Sequence, residues 1–391
     1  MDTSEAFRGL ECAETGERYD AAETGESDAG AHLSPVYDFD AVDWGDGALS
    51  DRPTDTMWRY ADLLPFASPL TADEGATPLV ESAALADELG VGTLSVKDEG
   101  RNPTGTVLDR GLSPAVTAAR EADAELVALA AAGNAGQSAA SYAGMAGLRS
   151  YAFVPSRAPF SNKAMVNVHG GEMRVVGGRY PDAEDGLHEQ LQSDWFTLQE
   201  FDNPYRHDGI KTLAFEVAES LDWTVPDAVV VPASTGEVVV GVAQGFRELR
   251  ELGLVDAVPP LYAAQASGCA PIYAAHERGE RDVEAWANPD TIVGELEIPD
   301  PKGGAAAVQA VEEAGGDVLA VDDDDILESA VVAAQTAGVE VGTAGGAAMA
   351  AAWRLAEEGV VDETDHVVVV NTESGTKTAD ILRSHLMGQG I

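Results

Sequence analysis

The chain reads Asn102-Pro103-Thr104-Gly105-Thr106-Val107-Leu108-Asp109-Arg110-Gly111 at the passage from a strand-like run to a helix-like run. The strand-like run covers residues 92–96, and the helix-like run extends from residue 115 to residue 126. Proline and glycine punctuate the segment between the two runs, which favours a loop over a continuous element. The segment therefore predicts a loop that leads from a buried strand into a helix.

From residue 93 onward, short apolar runs alternate with helix-like segments. These runs are residues 126–130, 151–155, 173–176, 228–232, 261–265 and 367–370. Apolar runs of this length suit strands that are buried on both faces of a parallel sheet. The alternation predicts an α/β fold, and 391 residues are enough for two domains with substantial cores.

The chain is strongly acidic, with 68 Asp and Glu against 23 Lys and Arg, a formal net charge of −45. The acidic residues are spread along the whole chain, so we expect most of them on a solvated surface. Such a surface resembles that of proteins from extreme halophiles, where salt screens the repulsion between carboxylates. It argues against binding to nucleic acid or to anionic membranes.

The two cysteines, Cys12 and Cys269, are too few for a disulfide framework. The N-terminal residues show no basic region followed by an apolar run, which a secretory signal peptide would have. No apolar run is as long as a membrane span. The sequence predicts a cytoplasmic protein.

Residues 102–111 resemble the motif that carries the cofactor lysine in threonine synthases, which are pyridoxal-phosphate enzymes of fold type II. The family motif is Asn-Pro-Thr-Gly-Ser-Phe-Lys-Asp-Arg-Gly, and seven of its ten positions match. Three upstream groups appear in the family's order, namely Trp58-Arg59-Tyr60, Leu63-Leu64-Pro65 and Thr77-Pro78-Leu79. The resemblance extends from about Trp58 to Lys377.

The resemblance implies two open parallel-sheet domains of the tryptophan synthase β-subunit-like fold, after a short degenerate zinc-ribbon-like segment. We place that segment at residues 1–45, the small α/β domain at 93–194, and the large α/β domain at 46–92 and 195–391. The implied reaction converts O-phosphohomoserine and water to threonine and phosphate. The implied cofactor is pyridoxal phosphate, and the implied partners are an amino-acid-like small molecule and a second subunit, in a homodimer or a heterodimer with an active relative.

Leu108 occupies the position of the family's catalytic lysine. Pyridoxal-phosphate enzymes need an amine that forms an imine with the cofactor and usually moves the substrate's α-proton. Leucine can do neither, so the sequence predicts a catalytically impaired protein. The alternative is an active lyase that uses non-covalently bound cofactor or another lysine, although Lys97, Lys211 and Lys377 match non-catalytic positions of the family.

The resemblance assigns cofactor contacts to five residues: Asn134, Ser234, Thr235, Gly236 and Thr372. Asn134 would contact the ring oxygen, although an asparagine at this place is equally suited to cap a helix. It follows Ala131 and Ala132, where the family has Ser and Thr to bind the substrate carboxylate. Losing a charge-assisted hydrogen bond of this kind costs about 1–3 kcal/mol of binding.

The loop at residues 233–237 matches the family's Gly-rich loop, whose backbone N–H groups bind the cofactor phosphate. Only one glycine, Gly236, is present, and the loop also contains Glu237. A carboxylate about 4 Å from a phosphate is repelled by about 4 kcal/mol. Glu237 could instead point to solvent or stabilise the start of the following helix.

Thr372 belongs to the segment at residues 371–377, which resembles the family's Thr-Gly-His-Gly-Leu-Lys. The resemblance places Thr372 at the pyridine nitrogen, and the alternative is a polar cap on a strand-to-helix turn. In the N-terminal segment, a zinc ribbon would need four Cys or His ligands, usually beginning with Cys-x-x-Cys. Cys12 is followed by Thr15 at the second position, and His32 is the other ligand-type residue nearby, so we expect no zinc.

Overall fold

The computed structural model describes residues 1–12, 14–22, 27, 31–45, 49–50 and 52–388, which form three β-sheets flanked by helices. The strands are β1 (Phe7–Cys12), β2 (Arg18–Tyr19), β3 (Leu33–Tyr37), β4 (Leu79–Glu81), β5 (Thr93–Asp98), β6 (Leu126–Ala130), β7 (Arg149–Pro155), β8 (Glu172–Val176), β9 (Phe196–Thr197), β10 (Ala228–Pro232), β11 (Leu261–Ala266), β12 (Val318–Val321) and β13 (His366–Asn371).

The helices follow the strands through most of the chain. They are α1 (Ala83–Leu89), α2 (Leu108–Glu121), α3 (Asn134–Ala146), α4 (Phe160–Val168), α5 (Tyr180–Gln190), α6 (Tyr205–Ile210), α7 (Thr212–Ser220), α8 (Glu237–Glu251), α9 (Pro271–Glu277), α10 (Gly304–Ala314), α11 (Asp323–Ala337), α12 (Thr343–Glu357) and α13 (Ala379–Gly388). Within the described ranges, none of these helices combines the length and the hydropathy needed to cross a membrane.

Two of the sheets confirm the predicted α/β class. The larger has the order β12-β11-β10-β13-β5-β4, in which every neighbouring pair is parallel except β4 with β5. The smaller has the order β8-β7-β6-β9 and is parallel throughout. Each predicted apolar run lies in one of these strands, and the central strands β6, β10 and β11 are buried along their whole length.

The sheet pairing differs from the predicted domain boundaries at two strands. β5 was assigned to the small domain, but it pairs with β13 from Thr93 to Asp98 in the larger sheet. β9 was assigned to the large domain, but it pairs with β6 in the smaller sheet. The sheet pairing thus joins β5 to the larger sheet and β9 to the smaller one, and the domains with their boundaries remain a prediction.

Helix α2 begins at Leu108, seven residues before the predicted start at residue 115. It continues through Pro114, which lacks the N–H that would bond to the Arg110 carbonyl. Gly209 of α6 packs against that carbonyl so closely that a Cβ there would lie 2.0 Å from the oxygen. The freed Arg110 carbonyl therefore faces a close helix contact, which a local reading of the sequence could not anticipate.

The N-terminal segment forms a three-stranded antiparallel sheet with the order β2-β1-β3. Cys12 is buried, with its Sγ 3.1 Å from the Ser27 hydroxyl, whereas the His32 ring packs edge-on against Phe201 and His207. Among the residues that the structure describes, no group of three or more metal-ligating side chains is close enough to hold an ion. The zinc-ribbon likeness of this segment is not confirmed.

Candidate functional site

A cavity lies where the carboxyl ends of strands from both larger sheets meet the first turn of α2. Parallel strands present their carboxyl ends at one edge of a sheet, which is where α/β proteins place ligands. The cavity has about 700 Å³ of empty space, counting the part open to solvent. Its lining includes Thr106, Val107, Leu108, Ala130, Ala131, Ala132, Gly133, Asn134, Tyr180, Glu200, Arg206, Ser234, Thr235, Glu237, Glu295, Leu296, Ile298 and Thr372.

The structure brings most of the sequence-predicted site residues to this cavity. The lining includes Leu108 and four of the five predicted cofactor contacts: Asn134, Ser234, Thr235 and Thr372. Gly236 is not part of the lining. It caps α8 with a φ of 92°, and a Cβ there would lie 2.5 Å from the Gly303 carbonyl oxygen, so its role is to permit this close turn. Whether these residues contact a cofactor remains a prediction.

Leu108 is the first residue of α2 and is half-buried at the cavity wall. Hydrogen bonds hold the residues on both sides of Leu108 in place. The Val107 N–H donates to the Thr372 carbonyl at 2.9 Å, and the Asp109 carboxylate accepts from both the backbone and the hydroxyl of Thr104 at 2.7 Å. The side chain at position 108 is therefore aimed into the cavity by the fold, even though it carries no amine.

No lysine is among the described residues that line the cavity. Lys97 is buried against Glu216 at 2.6 Å, and Lys211 is buried against Asp208 at 2.6 Å. Lys377 donates to the Gln137 side chain at 2.8 Å. Burial lowers the pKa of Lys377, while the nearby Glu373, Asp109 and Glu295 carboxylates act in the opposite direction.

Glu237 opens helix α8 and forms a buried ion pair. Arg206 donates to one Glu237 oxygen at 2.6 Å, and it also lies 3.5 Å from Glu200, which accepts a hydrogen bond from the Tyr180 hydroxyl. Burial raises the pKa of Glu237, and Arg206 opposes that rise. The prediction of an acid at a helix start is confirmed, but the alternative that Glu237 points to solvent is wrong, since only 3% of it is exposed.

Asn134 faces a carboxylate from the segment at residues 371–377. Its amide donates to the side chain of Glu373, which is fully buried. The helix-cap interpretation of Asn134 is wrong, because Gly133 is the N-cap of α3 and Asn134 makes no side-chain cap bond. Burial raises the pKa of Glu373, and the bond from Asn134 lowers it.

Glu295 was missed entirely by the sequence reasoning. It lies in a short 3₁₀ turn, Gly294–Leu296, and lines the cavity with only 9% of its surface exposed. Burial, followed by the charge of Glu373, raises its pKa to about 8. No local pattern marks this turn, since its importance comes from the long-range approach of Glu373.

The raised pKa of Glu295 predicts that the contribution of this group to stability is lost as the pH rises through the range from about 5 to about 8. In this range the folded state holds protons that the unfolded state has released, so each such group contributes up to about 1.4 kcal/mol per pH unit. Burial also raises the pKa of Glu184 to about 8 and that of Asp109 to about 6. Urea unfolding across this range should show a smaller pH slope for Glu295→Gln than for the native chain.

The matched control is Glu251→Gln, which removes one carboxylate from an exposed position at the end of α8. Its pH slope should equal that of the native chain. A Glu295→Gln slope as steep as the native one would show that Glu295 is ionised in the folded state, contrary to its burial.

The cavity residues do not fit a pyridoxal phosphate held as the family motifs imply. Leu108 offers no amine, and Ala131 and Ala132 offer no hydroxyl donors. At the loop that would bind a phosphate, the side chain of Glu237 is itself buried and paired with Arg206. An added phosphate would have to displace this carboxylate or lie beside it, and two like charges in a buried site repel strongly.

Comparison with known proteins places the chain in one family. The family model "Pyridoxal-phosphate dependent enzyme" matches residues 70–373. The threonine synthase of Methanocaldococcus jannaschii is 32% identical, over 94% of this chain and 93% of its own. The threonine synthase of Methanosarcina acetivorans is also 32% identical, over 93% of this chain and 90% of its own.

Solved structures agree with the fold. A fungal L-serine ammonia-lyase from Rhizomucor miehei has a TM-score of 0.70 at 20% identity, over 81% of this chain and 99% of that one. Maize serine racemase has a TM-score of 0.67 at 20% identity, over 81% of this chain and 94% of that one. The chain belongs to the family of pyridoxal-phosphate-dependent enzymes, the family's cofactor is pyridoxal phosphate, and its sequence is threonine-synthase-like.

Proposed function

We propose that this chain is a threonine-synthase-like protein that keeps the family's cavity as a small-molecule site but has lost the imine chemistry. The observation that carries the proposal is Leu108 at the cavity wall, in a cavity whose described lining contains no lysine. The segment at residues 102–111 is well anchored, since its Val107 N–H donates to the Thr372 carbonyl and its Thr104 N–H donates to the Asp109 carboxylate. Retained architecture around altered chemistry supports a binding role for the site.

A spectral and turnover assay tests this proposal. The purified chain mixed with pyridoxal phosphate in molar KCl should show only the absorbance of free cofactor, without the shifted band of an imine. With O-phosphohomoserine added, the release of phosphate should stay at the level of a sample without protein. A bound imine band together with phosphate release would overturn the proposal.

The second candidate is an active lyase whose amine has moved to another lysine. Lys377 is the specific residue that favours it, because burial lowers its pKa and a neutral amine is the reactive form. Against it, the Lys377 ammonium is already bonded to Gln137 and Lys377 does not line the cavity. The variant Lys377→Gln separates the two candidates, since it should abolish any turnover that depends on a relocated amine.

The proposal extends to assembly and location. As in the family resemblance, we propose a homodimer, or a heterodimer with an active relative, in the cytoplasm. A heterodimer would give the retained fold a structural role, because an intact surface is enough to pair with a catalytic subunit. Light scattering of the chain alone and of its mixture with a threonine synthase from the same cell would distinguish the two assemblies.

A further inference from the structure

The wall of the cavity carries more negative than positive charge. Four buried carboxylates lie in or directly beside it, namely Glu200, Glu237, Glu295 and Glu373. Two cationic groups oppose them: Arg206, which pairs with Glu237 and Glu200, and Lys377, which faces Glu373 and Glu295. When all of these groups are ionised, the site has two uncompensated negative charges, and a low-dielectric wall strengthens the field that they produce.

The helix ends that usually attract anions already have internal partners. Glu237 is the first residue of α8, so its own carboxylate lies at the positive end of that helix. The side chain of Glu373 packs against Gly342, the N-cap residue of α12. The amide of Asn134, at the start of α3, donates to the same carboxylate. These helix starts therefore provide little attraction for an anionic ligand.

Several buried acceptors around the cavity have no donor among the described residues. They are both carboxylate oxygens of Glu295, Oε1 of Glu237, and Oδ1 of Asn134. A buried acceptor without a donor costs about 1–3 kcal/mol, and more when it is charged. A ligand that carries positive charge and N–H donors would satisfy these atoms, which neither a phosphate nor a carboxylate could do.

Part of the wall is apolar, beside the hydroxyl side chains of Thr106, Ser234, Thr235 and Thr372. Leu108, Leu296 and Ile298 present hydrocarbon surface to the cavity. Ala131 and Ala132 offer no hydroxyl, and the Ala131 backbone N–H already donates a hydrogen bond to the Phe153 carbonyl at 2.9 Å. The site can therefore accept an apolar body joined to a cationic head, and it lacks the two hydroxyls at positions 131 and 132 that the family resemblance assigns to the α-carboxylate of an amino acid.

We infer that the cavity binds a small organic ammonium ion, an amine without an α-carboxylate, with its head against Glu295 and its hydrocarbon body against Leu108. The inference rests on the proposed function and narrows its ligand from an amino-acid-like molecule to an amine. Because burial raises the pKa of Glu295 to about 8, the ammonium head would displace a proton from this carboxyl group at neutral pH and supply the N–H donors that it lacks. The leucine that replaces the catalytic lysine would become part of the binding surface.

Calorimetric titration of the full chain in molar KCl tests the inference with three matched probes. n-Butylammonium has the expected head and body, L-norvaline adds an α-carboxylate to the same skeleton, and 1-butanol removes the charge. We expect n-butylammonium to bind at least about tenfold more tightly than either of the others, a difference of about 1.4 kcal/mol. Equal binding of the three probes, or tighter binding of L-norvaline, would overturn the inference.

Two variants locate the binding. Glu295→Gln is isosteric with the protonated acid, so the fold should be kept while n-butylammonium affinity falls about tenfold or more. Glu251→Gln, at an exposed position, should leave the affinity unchanged. An affinity that is unaffected by Glu295→Gln would also overturn the inference.

The same samples are then mixed with pyridoxal phosphate, which distinguishes a failure of the inferred ligand class from a failure of the proposed function. If no imine band forms and n-butylammonium shows no preference over 1-butanol, the ligand class is wrong and the proposed function stands. If an imine band forms, the proposed function itself is wrong, and the inference that rests on it fails as well.

Discussion

The single change Leu108→Lys should not give the protein a borohydride-reducible adduct with pyridoxal phosphate, whereas four changes together should. The four are Leu108→Lys, Glu237→Gly, Ala131→Ser and Ala132→Thr. Removing the Glu237 side chain frees Arg206 from its 2.6 Å ion pair, so that a phosphate at the start of α8 would gain a cation instead of meeting a carboxylate. Because the four sites share one ligand, their effects should be strongly non-additive.

The measurement is mass spectrometry of the protein after incubation with cofactor and reduction. We expect nearly stoichiometric labelling of the fourfold variant at position 108 and background labelling of the single variant. The matched control is the fourfold variant with Leu108→Met in place of Leu108→Lys, which restores everything except the amine and should remain unlabelled. Full labelling of the single variant would show that Glu237 and the two alanines do not obstruct the cofactor.

Replacing Arg110 with glutamine should destabilise the protein by about 3–5 kcal/mol, because it leaves buried carboxylates without their partner. The Arg110 guanidinium is fully buried. It donates two hydrogen bonds to Glu99, at 2.7 and 2.9 Å. Two of its nitrogens also donate to Glu216, each at 2.7 Å. Glu99 also accepts a 2.6 Å bond from Asn102. Arg110 therefore links the first part of the 102–111 loop to α7.

Denaturant unfolding in molar salt measures this effect, since a buried network is little screened by ions. The matched control is Arg8→Gln. Arg8 pairs with Asp38 at 2.7 Å, but the two side chains are 45% and 39% exposed, so its loss should change stability by less than about 1 kcal/mol. An Arg110→Gln variant as stable as the Arg8→Gln variant would mean that the network does not hold the loop.

The buried strands could be predicted from the sequence because their signal is local. Runs such as residues 126–130 and 228–232 are apolar at every position, and the structure buries every residue of both. Strand ends at one sheet edge then bring Asn134, Thr235 and Thr372 together. The start of α2 could not be predicted in this way, because proline and glycine in the 102–111 segment favour a loop locally, whereas the helix begins at Leu108 and continues through Pro114.

The charge pairing around the cavity also could not be predicted from the sequence, because the partners lie far apart in the chain. Glu237 was visible as an acid in the phosphate loop, but its partner Arg206 lies 31 residues away in the chain. Glu373 meets Asn134 across 239 residues, and Glu295 lies in an irregular loop. The sequence alone indicated that the family's amine and two hydroxyl donors are absent. The structure added that several buried carboxylate oxygens around the cavity have no hydrogen-bond donor among the described residues.

The loss of the cofactor amine, which is the central claim, is tested most directly by reducing the native chain with borohydride in the presence of pyridoxal phosphate. Peptide mapping then follows any label to its lysine among the five in the chain. The account predicts no label above that of denatured protein on Lys97, Lys211 or Lys377, and none in the peptide that contains Leu108. A stoichiometric label on Lys377, or on any other single lysine of the folded protein, would contradict it.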